Sequence, residues 1–398
     1  MILLLYSRGR DLMNPENQWD FRSHYHAAKA FRNGLDPYGV EHANRFNPTP
    51  HEIPWEHSYP YHPYTLGYFA TFALLPYDTA VVVYMLYGAA LLVFLIALWR
   101  VVDFRRWASV TIFAILVLSA FDQTVFLGLR AGNTAFFEAA MVWLALAMFV
   151  TNRPWAFLCA LAGIAFFKGT PLALSPLVLL LPGRWRNLLP LLVVDGVGIL
   201  IWLSPLLYCP DLFHAYWGYA AGVHETGSVN PCALALIGDI LAACGLPGGG
   251  LANAVYLSWV AVLGLCYLAV IRKADWDGKR GLLAMFSLLT YAIMVPRFKD
   301  YAYVQLIPVA HFVVSRNAGM LFFALFPFIA RDLALPGVIA SYGSFFSAVA
   351  FWAYLLWMVR GKARGCAVPD HAPGRRQMPG TACPQDAHFP SRRAAAEL

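Results

Sequence analysis

The sequence predicts an all-α fold: a polytopic transmembrane helical bundle of about eleven to twelve spans, the first of them truncated, with a long extracytoplasmic first loop bearing interfacial helices. Three observations carry this. Of the 398 residues, 60% are hydrophobic and only 13% charged, against about 25% charged in soluble domains; the mean hydropathy is +0.56. The apolar runs are long enough to cross a hydrocarbon core of about 30 Å, which takes roughly 20 helical residues. Lys and Arg stand singly between those runs rather than within them. Lipid offers the backbone no hydrogen-bond partner, so the spans must be helices and not open strands.

Met1 to Tyr6 (MILLLY) is an apolar stub, too short for a signal peptide or a span, and reads as the end of a first helix whose beginning is missing. Residues 7–63 form the longest hydrophilic stretch before the tail, rich in His, Pro and Trp, and long loops of this kind are usually functional. Residues 64–360 hold the bundle. From Tyr64 to Trp99 the chain is apolar with a break at Pro76, Tyr77 and Asp78, which splits a short leading helix from a full span. The further expected spans are Trp107 to Phe121, Asn133 to Val150, Trp155 to Phe167, Thr170 to Leu181, Leu188 to Leu207, Leu251 to Ile271, Gly281 to Val295, Tyr301 to Val314, Met320 to Ala330 and Val338 to Met358. Residues 361–398, rich in Pro, Arg and Ala, read as a disordered cytoplasmic tail.

Short cytoplasmic loops carry excess Lys and Arg. Arg100, Arg105, Arg106, Arg153, Arg184, Arg186, Arg272, Lys273, Lys279, Arg280, Arg316, Arg360, Lys362 and Arg364 all fall on one side if the short segments Tyr64 to Leu75 and Ala233 to Ala243 do not cross fully. The other, extracytoplasmic side receives the first loop, the turn Asp122 to Gly132, Lys168, the loop Tyr208 to Cys232 and Pro296 to Asp300. The implied location is the inner (plasma) membrane, with the lipid bilayer as a partner. The net charge of +7 is scattered anchoring charge and not a basic stripe, which excludes nucleic acid. The seven cysteines show no paired spacing and read as packing residues. No zinc-type spacing joins the histidines, so no metal and no cofactor is expected.

The groups able to do chemistry collect on the extracytoplasmic side. Asp20 precedes a run, His24 to Phe31, that as a helix puts Tyr25, Ala28 and Phe31 on one apolar face and would lie in the interface. Asp20 also suits the N-cap of that helix, and the two roles are compatible. Lys168, Arg297 and Lys299, with Arg130 behind them, are cations able to stabilise a phosphate. The bland readings are a snorkelling Lys168, an ion cluster of Arg297 and Lys299 with Asp300, and Asn133 as a helix cap. Asp195, inside an apolar span, reads as packing glue that faces the bundle, and Asp36 and Asp122 read as turn residues.

An acidic residue, a short helix, then Gly34-x-Asp36-Pro37-Tyr38 and Tyr61-His62-Pro63 opening a membrane segment form an ordered series. It continues with Gly132-Asn133, Lys168-Gly-Thr-Pro171, Arg184-Trp185-Arg186, Asn230-Pro231 and Pro296-Arg297-Phe298-Lys299-Asp300-Tyr301. In this series the chain resembles the bacterial polyprenol-phosphate-mannose-dependent α-mannosyltransferases of the GT-C superfamily, the family-87 type, over most of residues 12 to 360. It departs from them in lacking a second proline after Pro63 and in carrying Tyr301 where relatives often have His. The resemblance implies an inverting hexosyltransferase of the cell envelope that takes a sugar, mannose by family, from a polyprenyl-phosphate-linked donor to a glycolipid or glycan acceptor. It makes Asp20 the general base, Lys168, Arg297, Lys299 and Arg130 the donor-phosphate residues, and Tyr38, Tyr61, His62, Asn133 and Asp300 the substrate-binding residues. The rival readings are a transporter or flippase for a lipid-linked or small polar substrate, which needs midplane charges of which Asp195 is almost the only clear one, and a non-catalytic membrane scaffold.

Overall fold

The computed structural model describes residues 18–46, 59–103, 110–222, 227, 229–273, 276, 278–333 and 335–362. The stub at residues 1–6, much of the first loop (with His51 and His57), Arg105 and Arg106, and the tail beyond residue 362 lie outside the described residues, as do the expectations attached to them. Among the described residues every element is helical. Five helices are long and apolar enough to cross a membrane: Tyr77–Val102, Val110–Ala131, Trp185–Tyr208, Gly250–Arg272 and Gly343–Arg360. Shorter apolar helices, Ala135–Val150, Pro154–Ala165, Thr170–Leu180, Ala233–Ala243 and Arg280–Met294, occupy the other positions where apolar runs predict spans or a partial crossing. The chain is thus an all-α, multi-pass membrane protein.

Local chemistry explains the boundaries. The Tyr77–Asp103 helix starts after Pro76, with Asp78 in its first turn and Arg100 in its last, charges that suit the positive and negative ends of the helix dipole. The expected span from Thr170 is wound as a 3-10 helix, Thr170–Leu180, and contains Pro176. A proline inside an α-helix removes one i to i−4 bond and clashes with the carbonyl it would have faced, so the tighter winding accommodates it better. The expected turn beginning at Asp122 is shorter than predicted. Phe121, Asp122 and Gln123 adopt left-handed backbone angles, and helix then resumes up to Ala131.

The helices sort by exposure. Only 6% of the Trp185–Tyr208 window is buried within the protein, and 17% of the Gly250–Arg272 window. Leu200 and Leu265 are each 69% exposed, a surface that only lipid can cover. The Ala135–Val150 helix lies at the opposite extreme. Its Trp143 is fully buried and donates its indole N–H to the Gln305 carbonyl at 2.9 Å, while Trp352 donates likewise to Thr290 Oγ1 at 2.9 Å. These two buried indoles thus have the partner that an apolar interior demands of them. Asp195 accepts from Ser175 Oγ at 2.7 Å, tying its helix to the Thr170–Leu180 segment.

At Gly281 the start of the Arg280–Met294 helix touches the end of the Tyr77–Asp103 helix, where a Cβ would run into the Val102 carbonyl. G281A is expected to cost about 1–3 kcal/mol through overpacking and to lower the midpoint of thermal unfolding in detergent. G196A, whose added carbon meets nothing within 4 Å, is the control expected to leave the midpoint unmoved.

Candidate active site

The site is built on the Trp19–Arg32 helix. Its N-cap is Gln18, so Asp20 is not the cap and sits in the first turn, where the helix dipole favours a carboxylate. The apolar face is wider than the predicted stripe. Tyr25 and Ala28 are buried as expected and Phe31 is 41% exposed, but Phe21 and His24 on other faces are buried as well. Phe21 stacks on Tyr84 with ring centroids 4.3 Å apart, and Tyr25 donates its hydroxyl to the Leu75 carbonyl at 2.7 Å. An aromatic bed from the segments that follow therefore fixes the position of Asp20.

Gly132 lets the two halves of the chain meet. It has a φ of +63°, and a Cβ there would strike Gln18 Oε1 and lie 2.6 Å from Phe21 Cβ, so both backbone angle and space call for glycine. The next residue, Asn133, uses both ends of its amide. Its Oδ1 accepts from the Ala135 N–H at the start of the Ala135–Val150 helix at 2.9 Å, and its Nδ2 donates to Asp20 Oδ2. Thr134 and not Asn133 is the N-cap of that helix, but the Asn133 amide still takes up its first N–H and orients the Asp20 carboxylate.

A cavity of about 670 Å³ opens beside Asp20. Lys168, Arg297 and Lys299 line it, having come from segments far apart in the chain, together with Tyr61, Asn133 and Asp300. Lys168 is held by Glu138, at 3.0 Å between Nζ and Oε2, with the Glu138 side chain only 1% exposed. The other oxygen of Glu138 accepts from Thr134 Oγ1 at 2.7 Å. Since that hydroxyl proton is committed, the 2.6 Å contact between Tyr61 and Thr134 has Tyr61 donating. Asn230 sets the loop that carries the other two cations: its Oδ1 accepts from the Phe298 N–H at 2.8 Å, and Cys232 Sγ donates to the Pro296 carbonyl at 2.8 Å. Lys299 lies 5.7 Å from the Tyr301 ring centroid.

Burial pushes the Asp300 carboxyl up to about 7, against the pull of the Tyr301 N–H and the Lys299 ammonium; Asp20 and Asp122 add to the rise. Burial, with the Lys299 ammonium adding to it, pushes the His24 imidazole down to about 3, so it is neutral at pH 7. Three expected site residues do not line the cavity. Tyr38 donates to the Tyr61 carbonyl at 2.8 Å and braces that strand-like stretch. His62 stacks on Trp202 and contacts its carbonyl through Nε2 at 2.9 Å. Arg130 lies over Trp19, 5.6 Å from the centroid of a ring that itself lines the cavity. Glu138 was missed in the sequence, although a carboxylate inside an apolar run is the same signal that singled out Asp195. Among the described residues no group of three or more His, Cys, Asp or Glu side chains converges as metal ligands would.

A second cavity, about 690 Å³ and apolar, adjoins the first. Leu174, Leu177, Val260, Leu268 and Ile271 line it, and Gly169 and Thr170 belong to both. The arrangement offers a carboxylate and three cations lining one space large enough for a sugar, next to a groove suited to a hydrocarbon chain. No curated protein and no solved structure matches the chain. Residues 59–296, more than half of it, match the model of glycosyltransferase family 87. Asp20 lies before the matched region, and Arg297 and Lys299 follow it directly. The chain therefore belongs to glycosyltransferase family 87 and is a multi-pass membrane glycosyltransferase.

Proposed function

We propose that the protein transfers a hexose, mannose by family resemblance, from a polyprenyl-phosphate-linked donor to a glycolipid or glycan acceptor at the extracytoplasmic face of the inner (plasma) membrane. The observation that carries this reading is the meeting of Asp20 with Lys168, Arg297 and Lys299 around one cavity that adjoins an apolar groove. The groove accommodates the first prenyl units, and the cations receive the phosphate. The GT-C assignment stands with this reading.

The acceptor hydroxyl is a poor nucleophile until its proton has somewhere to go. Asp20 takes that proton as the hydroxyl oxygen bonds to the anomeric carbon and the bond from that carbon to the phosphate oxygen breaks. Attack from the face opposite the phosphate inverts the anomeric centre. The departing polyprenyl phosphate gains negative charge, and ammonium and guanidinium groups already in place stabilise it without reorganisation. Asn133 orients Asp20, and Glu138 orients Lys168.

With a polyprenyl-phosphate mannose donor and reconstituted protein, D20N is expected to lower kcat about 10²–10⁴-fold; wild-type turnover by D20N would remove Asp20 as the base. K168M is expected to lose roughly a hundredfold in kcat/KM, measured in the same assay. Asp300 gives the pH dependence its sign. Below about 7 its carboxyl is neutral, and above 7 it is an anion opposing the phosphate. The KM for donor should therefore rise from about pH 6 to about pH 8, and D300N should flatten that rise.

A further inference from the structure

One face of the Trp19–Arg32 helix lines the cavity. Asp20, Ser23 and His24 stand three and four residues apart, on one side of a 3.6-residue turn, and all three line the cavity. His24 is the unexplained member. It is 1% exposed, its ring packs against Tyr61 and Phe69 with centroids 5.0 and 4.6 Å away, and neither ring nitrogen has a hydrogen-bond partner among the described residues. A buried polar group left without a partner costs on the order of 1–3 kcal/mol; both nitrogens are covered by the surrounding rings, so a turn of the imidazole towards the cavity it lines would give them a ligand as partner.

We infer that His24, with Ser23, binds hydroxyl groups of the acceptor sugar beside Asp20, so that the helix face is the acceptor subsite and the cation-bearing wall serves the donor phosphate. This rests on the proposed transferase reading. The chemistry is matched on both sides. A neutral imidazole offers one N–H donor and one nitrogen acceptor, and a sugar hydroxyl both accepts and donates. Neighbouring sugar hydroxyls, one on Asp20 and the next on His24, would turn the reacting oxygen towards the donor. A phosphate finds no such match, because a neutral ring brings no charge to it, whereas Lys168, Arg297 and Lys299 do. Phe167, Tyr216 and Tyr219 on the walls give the sugar ring apolar faces to lie against.

The test uses the full chain in proteoliposomes with a polyprenyl-phosphate mannose donor and octyl α-mannoside as the acceptor probe. H24F keeps the ring and removes the polar atoms. It is expected to raise the KM for the mannoside about tenfold while donor KM and the slow hydrolysis of donor in the absence of acceptor stay near wild type. H24Q, which retains a donor and an acceptor, should recover most of the loss. Should H24F fail to fold, as read by its melting in detergent, S23A carries the same test with an expected rise of about threefold. An acceptor KM within about twofold of wild type in every folded variant overturns the inference, as does a rise in donor KM instead. Absence of transfer by the wild-type protein would sink the transferase reading itself, an outcome distinct from either.

Discussion

A carboxylate placed inside an apolar helix has to find its countercharge within the protein, and Glu138 finds Lys168 at 3.0 Å. Much of the site's geometry hangs on that contact. Removing one partner of a buried pair leaves a charge with no compensation, so the pair fixes where the two segments meet even though it adds little net stability over packing. The pair joins the Ala135–Val150 helix to the turn between Pro154–Ala165 and Thr170–Leu180. The second Glu138 oxygen carries the constraint on through Thr134 to Tyr61, and Asn133 next door carries it to Asp20. A run of consecutive residues, Gly132 to Thr134, thus sets the relative positions of the first described helix, the Ala135–Val150 helix and the cavity's first cation.

The two cavities differ in chemistry as the two ends of the proposed lipid-linked donor do. One is polar and lined by charges of both signs, the other is apolar, and Gly169 and Thr170 form part of both. That junction belongs to the Lys168-Gly-Thr-Pro171 motif. The glycine keeps the passage free of side chain, and Thr170 contacts the Tyr291 hydroxyl at 2.9 Å. Pro171 then stands in the first turn of the 3-10 wall that follows. A segment that reads as an ordinary apolar span is therefore the partition between the polar and the apolar cavity.

Composition and hydropathy made the helical membrane architecture legible, because the bilayer forbids almost everything else. Apolar runs marked Tyr77–Asp103 and Gly250–Lys273 nearly to their ends. The left-handed turn at Phe121 to Gln123 was not legible, since none of these residues is a glycine and nothing local announces positive φ. Within the site, the residues that meet were legible as types: an acid beside an aromatic helix, and cations in loops on one side. What they meet was not. The partnership of Asn133 with Asp20 spans 113 residues and that of Asn230 with Phe298 spans 68, and no periodicity reports separations of that kind. His62 and Tyr38 carried the motif's most conspicuous chemistry, yet both are braced against backbone carbonyls away from the cavity, which only packing decides.

The Glu138 pairing has a last consequence for selectivity among phosphorylated states. An ammonium has three N–H groups, and Lys168 directs one to Glu138, which leaves two while cancelling much of its long-range field. In the proposed reaction the donor, a sugar phosphodiester with one negative charge, would meet a nearly neutral couple that attracts it weakly. The monoester released on transfer would approach two charges and take the remaining N–H groups more strongly. Muted in this way, the cation favours the charge that appears as the glycosidic linkage to phosphate parts over the charge present beforehand, and differential attraction of that kind raises turnover where uniform tight binding would not.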